Sequence, residues 1–159
     1  ITQLLLSGMR AQGKGLIINV SSMGGKIYTP LGAWYHATKH AVEGWSDCLR
    51  IELKPHGIDV VIIEPGLIDT GFGAGVQDQF AVADDSAYAD MAGALVKSTE
   101  AGSNPMSPPS VITDLVIRAI RAPKPKTRYA GGALARPLMF LRWLLPDRWF
   151  DRILMSQMK

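Results

Sequence analysis

Two short runs of the chain are apolar almost throughout. One is Leu16–Val20, framed by Gly15 and a Ser21-Ser-Met-Gly-Gly25 turn, and the other is Ile58–Ile63, closed by Pro65-Gly66. Runs of this length and composition read as strands buried on both faces. Between them, residues 33–54 follow a helical period, with Tyr35, Ala41, Val42, Trp45, Leu49 and Leu53 expected to share one broad inward face until Pro55 and Gly57 end the helix. Residues 1–12, with Leu4, Leu5 and Leu6, predict a helix stopped by Gly13 and Gly15. Two apolar strands joined by a long helix predict an α/β fold, a parallel sheet with helices covering it. Further on, helices are expected over Ala83–Glu100 and Ser110–Ile120, with Ser110 as cap and Val111, Leu115, Val116 and Ala119 inward. Thr127–Ala130 is expected to add a third strand. Ala133–Leu145 and Asp147–Met158 form two amphipathic helices hinged at Pro146. Loops are expected around Gly71, Gly73 and Gly75 and over Gly102–Pro109.

Composition narrows the class. With 47% hydrophobic and 19% charged residues among 159, the chain is neither disordered nor fibrous. A single cysteine, Cys48, excludes a disulfide framework or a cysteine metal cluster within the chain and is expected to pack. The opening ITQLLLSGMR lacks the charged start and long apolar run of a signal peptide. Arg142 and Pro146 interrupt the apolar C-terminal stretch, so no bilayer span is expected. The net charge of +3 divides unevenly: residues 1–117 carry 7 Lys/Arg and 12 Asp/Glu, residues 118–159 carry 10 and 2. The basic residues of 133–159 alternate with Trp, Phe, Leu and Met, which suits a peripheral membrane contact or a helix pair closing over a cleft better than it suits nucleic acid.

Candidate chemistry gathers around the first strand and the long helix. Ser22 lies just past the carboxyl end of the strand, the side on which open α/β sheets bind ligands. Tyr35 and Lys39 are four apart, so their side chains share one helix face. The second strand runs into Pro65-Gly-Leu-Ile-Asp-Thr70 at the same end. Gly15-Leu-Ile-Ile-Asn-Val-Ser-Ser22, then Tyr35-His-Ala-Thr-Lys39, then Ile63-Glu-Pro-Gly-Leu-Ile-Asp-Thr70, in this order and spacing, resemble the catalytic half of the short-chain dehydrogenase/reductase family. The end of the chain more faintly resembles hydroxysteroid and retinol dehydrogenase-like members. The resemblance implies the C-terminal part of a Rossmann-like doubly wound parallel sheet. It implies an oxidoreductase that uses NAD or NADP to interconvert an alcohol and a ketone or aldehyde. The aromatic and Met content of the C-terminal run, with the loop over 71–106, suggests a small apolar substrate. Tyr35 would be the general acid and base, since a neighbouring ammonium favours the ionised form of a phenol that is otherwise protonated at neutral pH. Lys39 would tune it and hydrogen-bond the nicotinamide ribose. Ser22 would anchor the substrate oxygen. Pro65, Gly66, Ile68 and Thr70 would bind the nicotinamide end of the cofactor, with Tyr35 and Lys39.

The same resemblance places the family's glycine-rich phosphate turn, its structural Asn and the residue choosing NAD or NADP before residue 1. The chain is therefore expected to be one domain incomplete at its N-terminus, with a catalytic half over 1–70, substrate-side loops and helices over 71–132, and the basic helices over 133–159. A homo-oligomer built on the Ala33–Lys54 helix, a cytoplasmic or membrane-associated location, and Trp34 at a substrate pocket are further expectations. The alternative is a non-catalytic remnant or membrane-surface module working through the C-terminal helices. Gly71-Phe-Gly-Ala-Gly75 fails as a dinucleotide fingerprint because Val76 stands where its third glycine belongs. His36, His40 and His56 form no metal set and are expected at or near the surface.

Overall fold

The computed structural model describes residues 1–71, 86–100 and 106–156. Three parallel strands form the sheet in the order β1-β2-β3: β1 is Gly15–Val20, β2 is Ile58–Pro65 and β3 is Arg128–Gly131. β1 and β2 run in register from Gly15 opposite Ile58 to Val20 opposite Ile63, and β2 meets β3 from Ile62 opposite Arg128 to Pro65 opposite Gly131. The described helices are α1 (Thr2–Gln12), α2 (Ala33–Leu53), α3 (Ala89–Glu100), α4 (Ser110–Arg121), α5 (Ala135–Leu144) and α6 (Asp147–Ser156).

Consecutive residues of β2 point to opposite faces, and both faces are covered. On one side Val60 and Ile58 pack with Leu6 of α1 and with Leu49 and Leu53 of α2. On the other, Val61 and Ile63 pack with Leu115 and Ala119 of α4. Burial on two faces is why Val60–Ile63 is apolar rather than alternating, whereas Asp59 near the start of the strand is exposed. Among the described residues β1 pairs with β2 alone, and its apolar residues are only half-buried, with Val20 53% exposed. At the far end of the sheet the chain turns twice through glycine in the left-handed region. Gly13 ends α1 at φ 63°, and Gly57 leads into β2 at φ 68°. A Cβ on Gly57 would collide with the Gly13 carbonyl, so the close approach of the two turns requires glycine there.

The C-terminal helices fold back over the turn that follows β1. Phe150 of α6 is fully buried and meets the Tyr28 ring edge-on at 5.4 Å. The Tyr28 hydroxyl donates to Asp151 at 2.9 Å. The Arg142 guanidinium sits over both rings and pairs with Asp147 at 2.6 Å. These two helices therefore stand beside the Ser22 turn. The outer face of α5 exposes Phe140, Trp143 and Leu144. No helix among the described residues is long and apolar enough to cross a membrane.

Several expectations need correction. The inward face of α2 carries His36, Glu43, Ser46, Leu49 and Leu53, while Ala41, Trp45 and Cys48 lie exposed. The first half of this helix packs on polar groups rather than on a hydrophobic core, so the apolar period misplaces its buried stripe. His36 is buried, not superficial. The N-cap of α4 is Pro109, and Ser110 is already inside the helix, without a side-chain cap. The third strand and the two C-terminal helices lie within a residue or two of their expected bounds. Of the helix expected over Ala83–Glu100, Ala89–Glu100 forms while residues 86–88 are a turn, and residues 83–85 fall outside the described residues, as do residues 72–75 of the glycine loop.

Candidate active site

All three strands end on the same side of the sheet, and the predicted residues sit at those ends. β1 delivers Ser21 and Ser22 into a single turn of 3-10 helix, Met23–Gly25. Ser22 is its N-cap, in extended conformation, and its Oγ accepts the Gly24 N–H at 3.0 Å. An accepting hydroxyl keeps its own proton to donate elsewhere. Ser22 is buried, whereas Tyr35 and Lys39 on α2 are half-exposed. The Lys39 Nζ donates to the Val20 carbonyl, the last of β1, at 3.2 Å and stands 5.9 Å from the centre of the Tyr35 ring. The Tyr35 ring packs against Gly24, where an added Cβ would lie 2.9 Å from its Cε1. Ser22, Tyr35 and Lys39 are thus brought together by one turn and one helix.

The Pro65–Thr70 stretch leaves β2 at the same end and is tied mainly to the β3 side. Gly66 N–H donates to the Gly131 carbonyl at 2.8 Å and Leu67 N–H to the Ala133 carbonyl at 2.9 Å. A Cβ on Gly66 would run into that Ala133 carbonyl, so the crossing of these two segments is itself a reason for glycine there. Ser107 bridges the stretch by accepting from Asp69 N–H at 2.9 Å and donating to the Leu67 carbonyl at 3.0 Å. The Ile68 N–H takes no part in that bridge. Ile68 is half-buried, and Thr70 is exposed. Trp34 is 87% exposed on the helix end next to Tyr35.

Below this trio lies a charged cluster that the sequence reading missed. Glu43, one further turn along the Tyr35–Lys39 face of α2, is buried, and its Oε2 accepts from Lys26 at 3.0 Å and from Arg128 at 3.0 and 3.2 Å. Arg128 also pairs with Asp47 at 2.7 Å and with buried Glu64 at 3.3 Å. Burial pushes the Glu64 carboxyl up, and the neighbouring Glu43 charge adds to this against the pull of Arg128 and Lys26. The hydrogen bond from Arg128 holds Asp47 below the usual carboxylate range, against its partial burial. Glu43 Oε1 and Ser21 Oγ are buried without a partner in the structure. One signal was available in the sequence: Glu64 is a carboxylate directly after the buried apolar run Val60–Ile63, which demands a cation.

Residues 1–80 match the family described as short chain dehydrogenase. The chain belongs to the short-chain dehydrogenase family. It is 36% identical over 154 residues to the uncharacterized oxidoreductase YbbO of Escherichia coli, covering 97% of this chain and 53% of the relative. It is 32% identical over 158 residues to the NADPH-dependent 3-dehydrocapnine reductase of Ornithobacterium rhinotracheale, covering 98% and 55%. A solved short-chain dehydrogenase from Streptomyces avermitilis superposes with a TM-score of 0.71 at 30% identity, over 89% of this chain and 51% of that one. The chain spans about half the length of the relatives it matches.

Proposed function

We propose that this chain bears the catalytic face of an NAD(P)-dependent short-chain dehydrogenase that interconverts an alcohol and a ketone or aldehyde. The observation that carries the reading is the gathering of a phenol, an ammonium and a buried hydroxyl at the carboxyl ends of parallel strands. The similar 3-dehydrocapnine reductase is NADPH-dependent, and a similar serine dehydrogenase, at a TM-score of 0.63, was solved in complex with NADP+. The residues present suit a nicotinamide nucleoside in their chemistry. Lys39 offers a cation for ribose hydroxyls, the Ile68 N–H remains for a carboxamide, and Thr70 adds a hydroxyl. When bound, the cofactor supplies or accepts the hydride.

The chain's own groups handle the proton. The Ser22 hydroxyl donates to the substrate oxygen while its lone pair stays on Gly24 N–H. The Tyr35 phenol gives its proton to that oxygen in reduction and takes it back in oxidation. The Lys39 ammonium, held at the Val20 carbonyl, favours the phenolate formed in the first direction. The aromatic and aliphatic content of the C-terminal helices, which fold back over the segment after β1, supports a substrate with an apolar body. Lys39→Met, made in the full-length protein, is expected to lower kcat by about 100-fold. The check is the consumption of NADPH with cyclohexanone as probe, and an unchanged kcat would count against the reading.

We also propose that two copies meet along the outer face of α2, where Ala37, Ala41, Gly44, Trp45 and Cys48 form an exposed stripe of mostly small residues. A Cβ on Gly44 meets nothing within 4 Å, so Gly44→Arg is compatible with the fold and should favour the helix by about 1 kcal/mol. The expected outcome is a protein of undiminished thermal stability that sediments as a smaller species than the parent. An unchanged sedimentation coefficient would remove α2 from the interface.

A further inference from the structure

We infer that His36 is a positioning residue that sets where the Tyr35 phenol stands relative to Ser22. The inference rests on the catalytic reading above and adds a part to it. His36 follows Tyr35 in the first turns of α2, and its ring reaches into the loop that connects β1 to the helix. Only 8% of it is exposed. Its Nδ1 lies 2.9 Å from the Gly24 carbonyl, and its Nε2 lies 3.0 Å from the Thr29 N–H and 3.0 Å from the Thr29 hydroxyl. A carbonyl can only accept and a backbone N–H can only donate. These partners therefore fix the tautomer, with the proton on Nδ1 and a lone pair on Nε2.

The ring occupies a slot made by two glycines. A Cβ on Gly24 would lie 3.2 Å from Nδ1, and one on Gly32 would lie 2.8 Å from Cδ2. Gly24 is also the residue whose N–H caps on Ser22 and whose open face receives the Tyr35 ring. The two rings meet edge to face, with centroids 5.5 Å apart. One imidazole thus clamps the Ser22 turn through Gly24, the following loop through Thr29, and the helix start through its own backbone, with the phenol leaning on it. Nothing else described ties Gly24 to the helix by a side-chain hydrogen bond. The remainder of α2 is held independently, by Leu49, Leu53 and the Arg128 cluster. Loss of the imidazole should therefore loosen the geometry of the trio while leaving the helix docked. Displacement of a reacting group by about 1 Å costs on the order of 100-fold in rate.

The test compares His36→Leu with His36→Asn in the full-length protein, again with NADPH and cyclohexanone. Asn retains a donor near the Nδ1 position. His36→Leu is expected to lower kcat by about 10- to 100-fold, with the KM for NADPH changed less than about twofold. His36→Asn should recover most of the loss. A second readout needs no turnover: the Tyr35 ring resonances, assigned through Tyr35→Phe in protein carrying 13C-labelled tyrosine, should shift in His36→Leu and return toward the parent values in His36→Asn. Unmoved Tyr35 resonances in His36→Leu, or a kcat that survives it, overturn the inference. So does a kcat loss that Asn fails to restore. A parent protein without turnover whose Tyr35 resonances still respond would instead count against the catalytic reading, leaving the positioning intact.

Discussion

Tyr35→Phe is expected to remove nearly all turnover and leave cofactor binding close to that of the parent. The substitution deletes one oxygen and its proton, with the ring still resting against Gly24 and His36. A positioned proton donor contributes about 100- to 10,000-fold, and no other group in the trio can replace it. The Ser22 hydroxyl can hydrogen-bond the substrate oxygen but, as an alcohol, is far too weak an acid to give its proton up, and the Lys39 ammonium is drawn toward the Val20 carbonyl. Stopped-flow or steady-state consumption of NADPH gives the rate, and quenching of protein fluorescence by NADPH gives the binding. Equal turnover in the variant would end the assignment of Tyr35. Unchanged binding with lost turnover separates it from a general collapse of the site.

Arg128→Met is expected to cost about 3 kcal/mol of stability, because removing one member of a buried ion pair strands the other. The cluster shows which carboxylate is stranded. Without Arg128, Glu43 keeps Lys26 at 3.0 Å and Asp47 keeps Arg50 at 3.1 Å, while Glu64 loses its ion-pair partner. Glu64→Gln in the same chain should therefore restore part of the loss, and Asp47→Asn should not. Denaturant midpoints measure both. The pH dependence follows from the direction of the Glu64 shift. Its carboxyl is already raised by burial, so the folded state holds its proton more tightly than the unfolded chain, and its contribution to stability declines as pH rises from the ordinary carboxylate range through the raised value. Loss of Arg128 removes a charge that opposes this. The deficit of Arg128→Met should be largest at neutral pH and shrink on mild acidification. Asp47 works in the opposite sense: lowered by Arg128, it contributes above the ordinary range and is lost as pH falls through its folded value.

Much of this protein was open to direct reading. Strands betray themselves when both faces are buried, because successive positions must then be apolar, and Val60–Ile63 is such a run. The four-residue step from Tyr35 to Lys39 gives one helix face without any tertiary knowledge. The serine after the first strand and the Pro-Gly after the second fall at strand ends by simple chain order. The reading failed on α2, where the apolar period pointed to Ala41 and Trp45. The structure buries His36, Glu43 and Ser46 instead, and Ser46 receives the Asn19 amide at 2.9 Å. A helix packed on polar partners carries no hydrophobic stripe to announce its inner face.

Local sequence thus determined the α/β class, the strands, the helix that carries the tyrosine and lysine, and the family. These depend on periodicity and on spacing within one element, which the chain states outright. Tertiary structure alone decided that Arg128, 85 residues from Glu43, would close a charged cluster beneath the trio, and that His36 would sit between Gly24 and Gly32. The reason is that a buried charge or imidazole signals a need for partners, while their identity depends on which distant segments the parallel sheet lays side by side.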